Sequence, residues 1–311
     1  MRGPGSPEPG PPDVTGSAFV FGFVIGSGRC GSTLVHEVLA RHPEIGFVSN
    51  LDDRWARCPG PVRRRSGAIY RRVPPRRTRK GRLRFAPSEG YRVLDREVSP
   101  LLADPFRDLT GADVTPWLDG RLRTFFEARH AAEGAPVYLH KFTGWPRAAL
   151  LHEVFPEARF VHVVRDGRAV AASWLRMPWW RGHLGPAGWH FGPLPEPYAA
   201  EWEASGRSFV LLAGIAWKLL MDAYETARAA VPAESWLEVR YEDVLGDPRG
   251  RTKLVLGSLG LSWTPAFERG FTRHTFSSAR ADAFHGDYSP AQREALDRSL
   301  ADHLARFGYP V

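Results

Sequence analysis

Cysteine and long apolar runs are scarce in this sequence. Only Cys30 and Cys58 occur among 311 residues, so a disulfide framework is not indicated and a reducing compartment is expected. The longest apolar stretches, residues 19–25 and 209–220, are too short or are interrupted by a lysine, so no membrane-spanning helix is predicted. Residues 1–17 are rich in proline and glycine without an apolar core, which predicts a disordered tail rather than a signal peptide. We therefore expect a soluble, cytoplasmic protein.

Acidic residues are absent from residues 54–84, which hold thirteen Arg and Lys. The formal net charge is +8, so the rest of the chain carries −5 once these thirteen charges are set aside. The basic balance thus belongs to one segment and does not indicate a general nucleic-acid-binding protein. Four prolines interrupt the segment and no helical or strand period is visible, which predicts a mobile cationic loop that attracts anionic ligands to a nearby cleft.

Short apolar runs alternate along the chain with segments of helical period. This alternation predicts a single α/β domain over residues 18–311, with a central, mainly parallel sheet flanked by helices. Ligands in such folds bind at the carboxyl ends of the strands. The predicted strands cover residues 19–25, 45–49, 137–142, 160–164 and 236–239, and the main predicted helices cover residues 113–130, 147–154, 169–175, 209–229, 249–259 and 290–307.

A glycine-rich loop at residues 26–33 joins the first predicted strand to the first predicted helix. This order gathers backbone N–H groups at a helix start, which is typical of a phosphate site, although an ordinary βα turn without a ligand is the alternative. The spacing fits the P-loop pattern G-x-x-x-x-G-K-[ST], except that Ser32 stands where the lysine belongs. The missing lysine disfavours nucleotide hydrolysis, whereas Arg29 inside the loop supplies a cation without a metal.

Further charged and aromatic residues follow the later strands. Lys141 ends one apolar strand, and Arg165 follows the next one at the start of a helix. Aromatic residues are dense between 174 and 202 and show no period. We predict that residues 176–205 form either an irregular lid or pocket loop over a bound ligand, or simply part of the apolar core.

These motifs resemble those of sulfotransferases that use 3′-phosphoadenosine 5′-phosphosulfate (PAPS). The glycine-rich loop is similar to the family's 5′-phosphosulfate loop, and residues 163–173 are similar to its 3′-phosphate motif. Lys141 matches the family's lysine near the sulfuryl group, and Tyr241 lies in an R-Y-E-D segment whose tyrosine is near the adenine. The resemblance implies a P-loop-like fold and the following donor-binding residues: Gly28, Arg29, Cys30, Gly31, Ser32, Thr33, Arg165, Ser173 and Tyr241.

The function implied by the resemblance is transfer of a sulfuryl group from PAPS to a hydroxyl or amine. The acceptor is a small molecule, a glycan or a lipid, the product is adenosine 3′,5′-bisphosphate, and no metal is required. Arg29 and Lys141 are then the catalytic cations that stabilise charge on the departing phosphate oxygen.

The general base is where the chain departs from the family. Thr143 stands where animal cytosolic members have a histidine, and residues 50–53 lack the glutamate of the glycan-modifying members. Counting from the loop arginine through His42-Pro43, which the glycan-modifying members share, places Leu51 or Asp52 at the base position. We predict Asp52, and next Asp53, as the base. The alternative for Asp52 is an ion pair with Arg54 or a helix cap.

Two other functions fit parts of the sequence. A P-loop kinase or NTPase would require ATP and magnesium. A non-enzymatic polyanion binder would use residues 54–84, although few aromatic residues lie among the basic ones to stack on nucleic-acid bases. We expect no nucleic-acid partner, and the sequence does not indicate an oligomeric state.

Overall fold

The computed structural model describes residues 19–55, 57–74, 85–277 and 283–310, except for the side chains of Arg64 and Ala283. The predicted tail at residues 1–17 and the second part of the basic segment, residues 75–84, lie outside the described residues. Among the helices that are described, none combines the length and apolarity needed to cross a membrane.

The core of the fold is a five-stranded sheet in which every pair of neighbouring strands is parallel. Its strands are β1 (Val20–Gly26), β2 (Ile45–Phe47), β3 (Val137–Thr143), β4 (Arg159–Val164) and β5 (Trp236–Arg240). The order β2-β3-β1-β4-β5 puts β1 in the centre, between β3 and β4. The predicted parallel sheet is therefore confirmed, and the carboxyl ends of all five strands lie at one edge.

Helices cover both faces of the sheet, as predicted. They are α1 (Ser32–Leu39), α2 (Asn50–Arg54), α3 (Gly60–Arg72), α4 (Tyr91–Glu97), α5 (Pro100–Ala103), α6 (Pro116–Glu133), α7 (Ala148–Val154), α8 (Gly167–Leu175), α9 (Glu196–Ala204), α10 (Phe209–Ala229), α11 (Tyr241–Gly246), α12 (Pro248–Ser258), α13 (Pro265–Phe271) and α14 (Pro290–Arg306).

The two faces of the sheet have separate apolar cores. Successive side chains of β1 alternate between them, so Phe23 and Ile25 lie in the larger core and Val24 in the smaller one. The larger core contains residues of α6, α7, α8, α10 and α14, and the smaller core contains residues of α1, α11, α12 and α13. Burial on both faces explains why the strands are continuous apolar runs.

The first part of the basic segment is helical, so the prediction of an unstructured loop is wrong for residues 60–72. Pro61 lies in the first turn of α3, where proline is tolerated, and the helix buries Tyr70. The guanidinium of Arg41 lies 3.9 Å from the centroid of that ring, and the Tyr70 hydroxyl donates to the Glu37 carbonyl at 3.0 Å. Contacts with α1 and with the turn that follows it therefore hold a helix in which five of the thirteen residues are arginine.

The aromatic segment combines irregular chain with buried core residues. Trp180, Trp189 and Phe191 are buried in the larger core, which supports core filling for these three residues. Trp179 is 45% exposed, and the segment ends in α9. The predicted lid over residues 176–205 stays a prediction.

Candidate active site

The glycine-rich loop leaves β1 at the centre of the sheet and has a left-handed backbone at three positions. The φ angles are 77° at Gly28, 58° at Arg29 and 95° at Gly31. A side chain at Gly31 would also overlap the ring of Tyr241, which packs directly against the loop. A turn with left-handed residues at the start of a helix is suited to an anion-binding nest, in which backbone N–H groups point toward one ligand.

Two predicted donor-binding residues lie beneath the loop rather than at its surface. The side chain of Cys30 is fully buried in the smaller core, and Ser32 is also buried at the start of α1. Thr33, in contrast, is exposed. Cys30 therefore offers a ligand its backbone rather than its thiol.

Lys141 joins the loop from the neighbouring strand β3. Its ammonium group lies 2.7 Å from the Thr33 hydroxyl and 2.8 Å from a carboxylate oxygen of Glu89, and its side chain is 5% exposed. Burial, followed by the charge of Lys141, lowers the pKa of nearby His36 well below its usual value, so that imidazole is neutral. The nearly buried ammonium group of Lys141 thus lies at the start of α1.

A second cationic group consists of Arg29 and Arg165, and it contacts Ser173 on α8 through Arg29. Arg29 Nε donates to the Ser173 hydroxyl at 2.8 Å, and Arg165 donates to the Arg29 carbonyl at 3.1 Å. Burial, followed by the positive charges of Arg165 and Arg176, lowers the pKa of Arg29. Like charges that lie this close to one another form a favourable site for an anion.

Tyr241 connects the loop to this second group. It begins α11 after β5 and is buried, and the Arg165 guanidinium lies 4.9 Å from its ring centroid. Its ring touches Gly31 and Arg165, so in this structure Tyr241 supports the loop. Its predicted role beside an adenine ring stays a prediction.

Asp52 and Asp53 take part in internal contacts, which argues against the predicted base role. The two carboxylate oxygens of Asp52 accept hydrogen bonds from Arg63 Nε at 2.9 Å and from Arg129 Nε at 2.8 Å. The Asp52 side chain is 4% exposed. Asp52 therefore pairs with two arginines that are distant in sequence, and not with Arg54 as the alternative prediction had it. The cap of α2 is the side chain of Ser49.

Asp53 holds the loop that precedes α4. Its Oδ1 accepts from the backbone N–H of Val93 at 3.1 Å, and its Oδ2 accepts from the Ser88 hydroxyl at 3.2 Å. Both carboxylate oxygens of Asp53 therefore hold the chain segment that contains Glu89, one through the Ser88 side chain and one through the Val93 backbone.

Sequence reasoning missed Glu89. The residue lies in an irregular stretch between the basic segment and α4, and its side chain is 34% exposed. Its contact with Lys141 joins residues 52 positions apart, and no local pattern marks it. Its position after a Pro-Ser pair and before a glycine was the only signal available.

Thr143, the residue at the family's histidine position, is fixed by Tyr91. The Tyr91 hydroxyl accepts from the Thr143 backbone N–H at 3.0 Å and lies 3.0 Å from its side-chain hydroxyl. Burial, followed by the charge of Glu89, raises the pKa of Tyr91 to about 12, so Tyr91 is a neutral hydroxyl near neutral pH.

Across the described ranges, no group of three or more His, Cys, Asp and Glu side chains has the arrangement of a metal site. The expectation of metal-free chemistry stays a prediction.

Comparison with known proteins identifies the family. A family model described as "Sulfotransferase family" matches residues 23–265. The chain is 26% identical over 166 residues to the omega-hydroxy-beta-dihydromenaquinone-9 sulfotransferase Stf3 of Mycobacterium bovis. That match covers 52% of this chain and 38% of Stf3, so well under half of the relative's length is represented.

Solved structures of sulfotransferases share the fold. The sulfotransferase domain of the Synechococcus PCC 7002 olefin synthase has a TM-score of 0.53 and 20% identity, over 94% of this chain and 95% of that one. Sulfotransferase STF9 of Mycobacterium avium has a TM-score of 0.54 and 16% identity, over 93% of this chain and 77% of that one. A family match over most of the sequence, on a fold shared with these proteins, shows that the chain belongs to the sulfotransferase family.

Proposed function

We propose that the protein transfers a sulfuryl group from PAPS to the hydroxyl group of an apolar, lipid-like acceptor. The observation that carries this proposal is the presence of two separate cationic groups on either side of one glycine-rich loop. One consists of Lys141 with Thr33, and the other of Arg29 with Arg165 and Ser173. PAPS has two anionic ends, a 5′-phosphosulfate and a 3′-phosphate, and each group suits one of them.

The first group suits the 5′-phosphosulfate. The nest at residues 28–31 and the start of α1 offer N–H groups to a phosphate, and Lys141 offers a positive charge from the next strand. Negative charge builds up on the bridging phosphate oxygen as the sulfur–oxygen bond breaks. A nearly buried ammonium group stabilises that charge strongly, because little water screens it.

The second group suits the 3′-phosphate. Arg165 and Ser173 lie at the carboxyl end of β4 and in the helix that follows, next to Arg29. An ATPase has no need of a second phosphate site here, and the loop lacks the lysine that an ATPase uses. Both features favour PAPS over ATP.

The proposed acceptor class rests on apolar surface and on one relative. Trp179 is 45% and Phe106 63% exposed, and the Phe106 carbonyl and ring lie against Gly192 of the aromatic segment. The same segment reaches the donor loop through Phe191, whose ring centroid lies 5.6 Å from that of Trp174, which in turn lies beside Gly28. The name of Stf3 describes a hydroxylated menaquinone derivative as its acceptor. We infer a lipid-like alcohol for this chain as well.

Thermal unfolding tests the donor. Adenosine 3′,5′-bisphosphate at about one hundred times its Kd, with EDTA present, is expected to raise Tm by roughly 5 °C or more. Arg165→Ala should lose most of this shift, whereas Arg159→Ala, at the opposite end of β4, should keep it. Stabilisation by ATP–magnesium alone would indicate an NTPase, and stabilisation by heparin alone would indicate a polyanion binder.

Transfer of label tests the reaction. The enzyme is incubated with 35S-labelled PAPS and a panel of prenyl alcohols, phenols and sugars, and the products are separated by chromatography. Labelled sulfate ester is expected on the apolar alcohols. Label found only on the sugars would overturn the acceptor class and leave the donor assignment intact.

A further inference from the structure

Glu89 is a carboxylate that lies beside Lys141, whereas Asp52 and Asp53 are engaged in other internal contacts. Its carboxylate lies 2.8 Å from the Lys141 ammonium, which in turn contacts Thr33 of the donor loop at 2.7 Å. The three side chains form a chain of contacts that ends at the start of α1. A carboxylate is thus next to the cation that we assign to the departing oxygen.

Glu89 is held on a well-fixed loop. The Ser88 backbone N–H donates to the Val48 carbonyl at 2.8 Å, and the Gly90 N–H donates to the Ser88 hydroxyl at 3.1 Å. Asp53 accepts from both ends of this stretch, through the Ser88 hydroxyl and the Val93 N–H. The backbone on both sides of Glu89 is therefore tied to the ends of β2 and α2.

Exposure distinguishes Glu89 from the aspartates. Its side chain is 34% exposed, whereas that of Asp52 is 4% exposed and is bonded to two arginines. An acceptor hydroxyl can reach Glu89 without breaking a buried ion pair. The 2.8 Å contact with Lys141 is made by Glu89 Oε1, and a carboxylate has two acceptor oxygens, so it can bind the lysine and a hydroxyl at the same time.

We propose that Glu89 is the general base of the reaction; this assignment rests on the proposed function. The acceptor O–H proton passes to the Glu89 carboxylate while the acceptor oxygen forms a bond to sulfur. The bond between sulfur and the 5′-phosphate oxygen breaks, and the electron pair stays on that oxygen of adenosine 3′,5′-bisphosphate. Lys141 then has two roles, since it neutralises the departing 5′-phosphate oxygen and orients the Glu89 carboxylate. Asp53 is then a positioning residue for the Glu89 loop.

The test compares Glu89→Gln with wild type on alcohols and phenols of increasing acidity. For weakly acidic alcohols, kcat/KM should fall by roughly 10²–10⁴-fold, the usual effect of losing a general base. The loss should shrink steadily with the more acidic phenols, because an acceptor that is already ionised needs no base. Glu89→Asp should keep more activity than Glu89→Gln, because it retains a carboxylate.

Two controls separate chemistry from structure. Asp95→Asn removes an exposed carboxylate from the neighbouring helix α4 and should keep wild-type activity within about twofold. Calorimetry should give Glu89→Gln an affinity for adenosine 3′,5′-bisphosphate within a few-fold of wild type. A loss of activity that is the same for every acceptor, or a lost affinity for the bisphosphate, would mean that Glu89 only holds Lys141, and would overturn the assignment. Absence of transfer by wild type to all acceptors would overturn the proposed function and this assignment with it.

Discussion

Arg29 illustrates how a single residue links the two halves of the proposed donor site. Its left-handed backbone forms part of the nest, its carbonyl accepts from Arg165, and its side chain donates to Ser173. The sequence predicted a role for Arg29 at the departing oxygen. The structure adds a contact with the residue that the resemblance assigns to the 3′-phosphate.

Removal of the Arg29 side chain should therefore be costly. Arg29→Ala is expected to lower kcat/KM by roughly 10²–10³-fold, as for loss of one key electrostatic donor. Steady-state kinetics with varied PAPS separates the two contacts: a role at the departing oxygen lowers kcat, and a role at the 3′-phosphate raises KM. Arg176→Ala, which removes a guanidinium that is 60% exposed, serves as the control and should have a much smaller effect. An Arg29→Ala enzyme with normal kcat/KM would contradict both the role at the departing oxygen and the role at the 3′-phosphate.

Motif reasoning was most effective for residues at strand ends. Lys141 and Arg165 stand at the ends of predicted apolar strands, and the parallel sheet brings both to the edge that carries the glycine-rich loop. Ser173 was implied by the resemblance, and its hydroxyl contacts Arg29 of that loop. Motif reasoning was least effective for carboxylates. The partners of Asp52 lie 11 and 77 residues away, and Lys141 lies 52 residues from Glu89. Tertiary contacts of that range have no local signature in a single sequence.

At the scale of elements, Asp52 joins three helices. It lies on α2 and binds Arg63 of α3 and Arg129 of α6. Arg129 also binds Glu97 of α4 at 2.8 Å. The basic helix α3, which has few apolar residues of its own, is thus tied to the fold partly through a charge pair that the sequence did not reveal.

Asp52→Asn should lower stability and leave the chemistry unchanged. Loss of one charge removes the Asp52 ion pair of Arg129, which is 3% exposed, and leaves its ion pair with Glu97. We expect a loss of about 2–4 kcal/mol in the free energy of unfolding, near the lower end of the range for breaking a buried pair. Urea unfolding measures the loss, and kcat/KM at a temperature where the variant is folded should stay within a few-fold of wild type.

The matched control is Glu97→Gln, which removes the other carboxylate bound to Arg129. Its side chain is 31% exposed, so the expected loss is smaller, about 1 kcal/mol. A large drop in kcat with little change in stability for Asp52→Asn would restore Asp52 as the general base and would contradict the assignment of Glu89.

The elements themselves were predicted with uneven success. The five strands and the long helices α6, α10 and α14 were found because apolar runs and helical periods repeat over many residues. Helix α3 was missed because arginine occupies its exposed positions and its buried face is short. The short helices α2, α4 and α5 were missed as well, since they span five, seven and four residues and show no clear helical period.

For the whole molecule, one contribution to the pH dependence of stability comes from Asp108, a carboxylate outside the donor site. Asp108 Oδ1 accepts from the Arg147 backbone N–H at 2.7 Å, at the start of α7. Burial raises the pKa of Asp108 to about 6, above the value near 3.8 that it has when unfolded, although Arg147 partly opposes the rise. Between these two values the folded protein binds more protons than the unfolded chain. The stability contributed by protonated Asp108 is thus complete below about pH 4 and is lost as pH rises through 6.

Asp108→Asn should remove this dependence while keeping the acceptor for Arg147. Between pH 4 and pH 7, the free energy of unfolding of the variant is expected to rise by about 1–3 kcal/mol relative to that of wild type. The reason is that only wild type must bury an ionised carboxylate at the higher pH. Urea unfolding at several pH values measures the difference between the two proteins. Asp104→Asn, an exposed change in the same loop, serves as the control variant. Parallel curves for wild type and Asp108→Asn would show that this carboxyl titrates in the folded protein as it does in the unfolded chain. The buried contact with α7 would then make no contribution to the pH dependence of the fold.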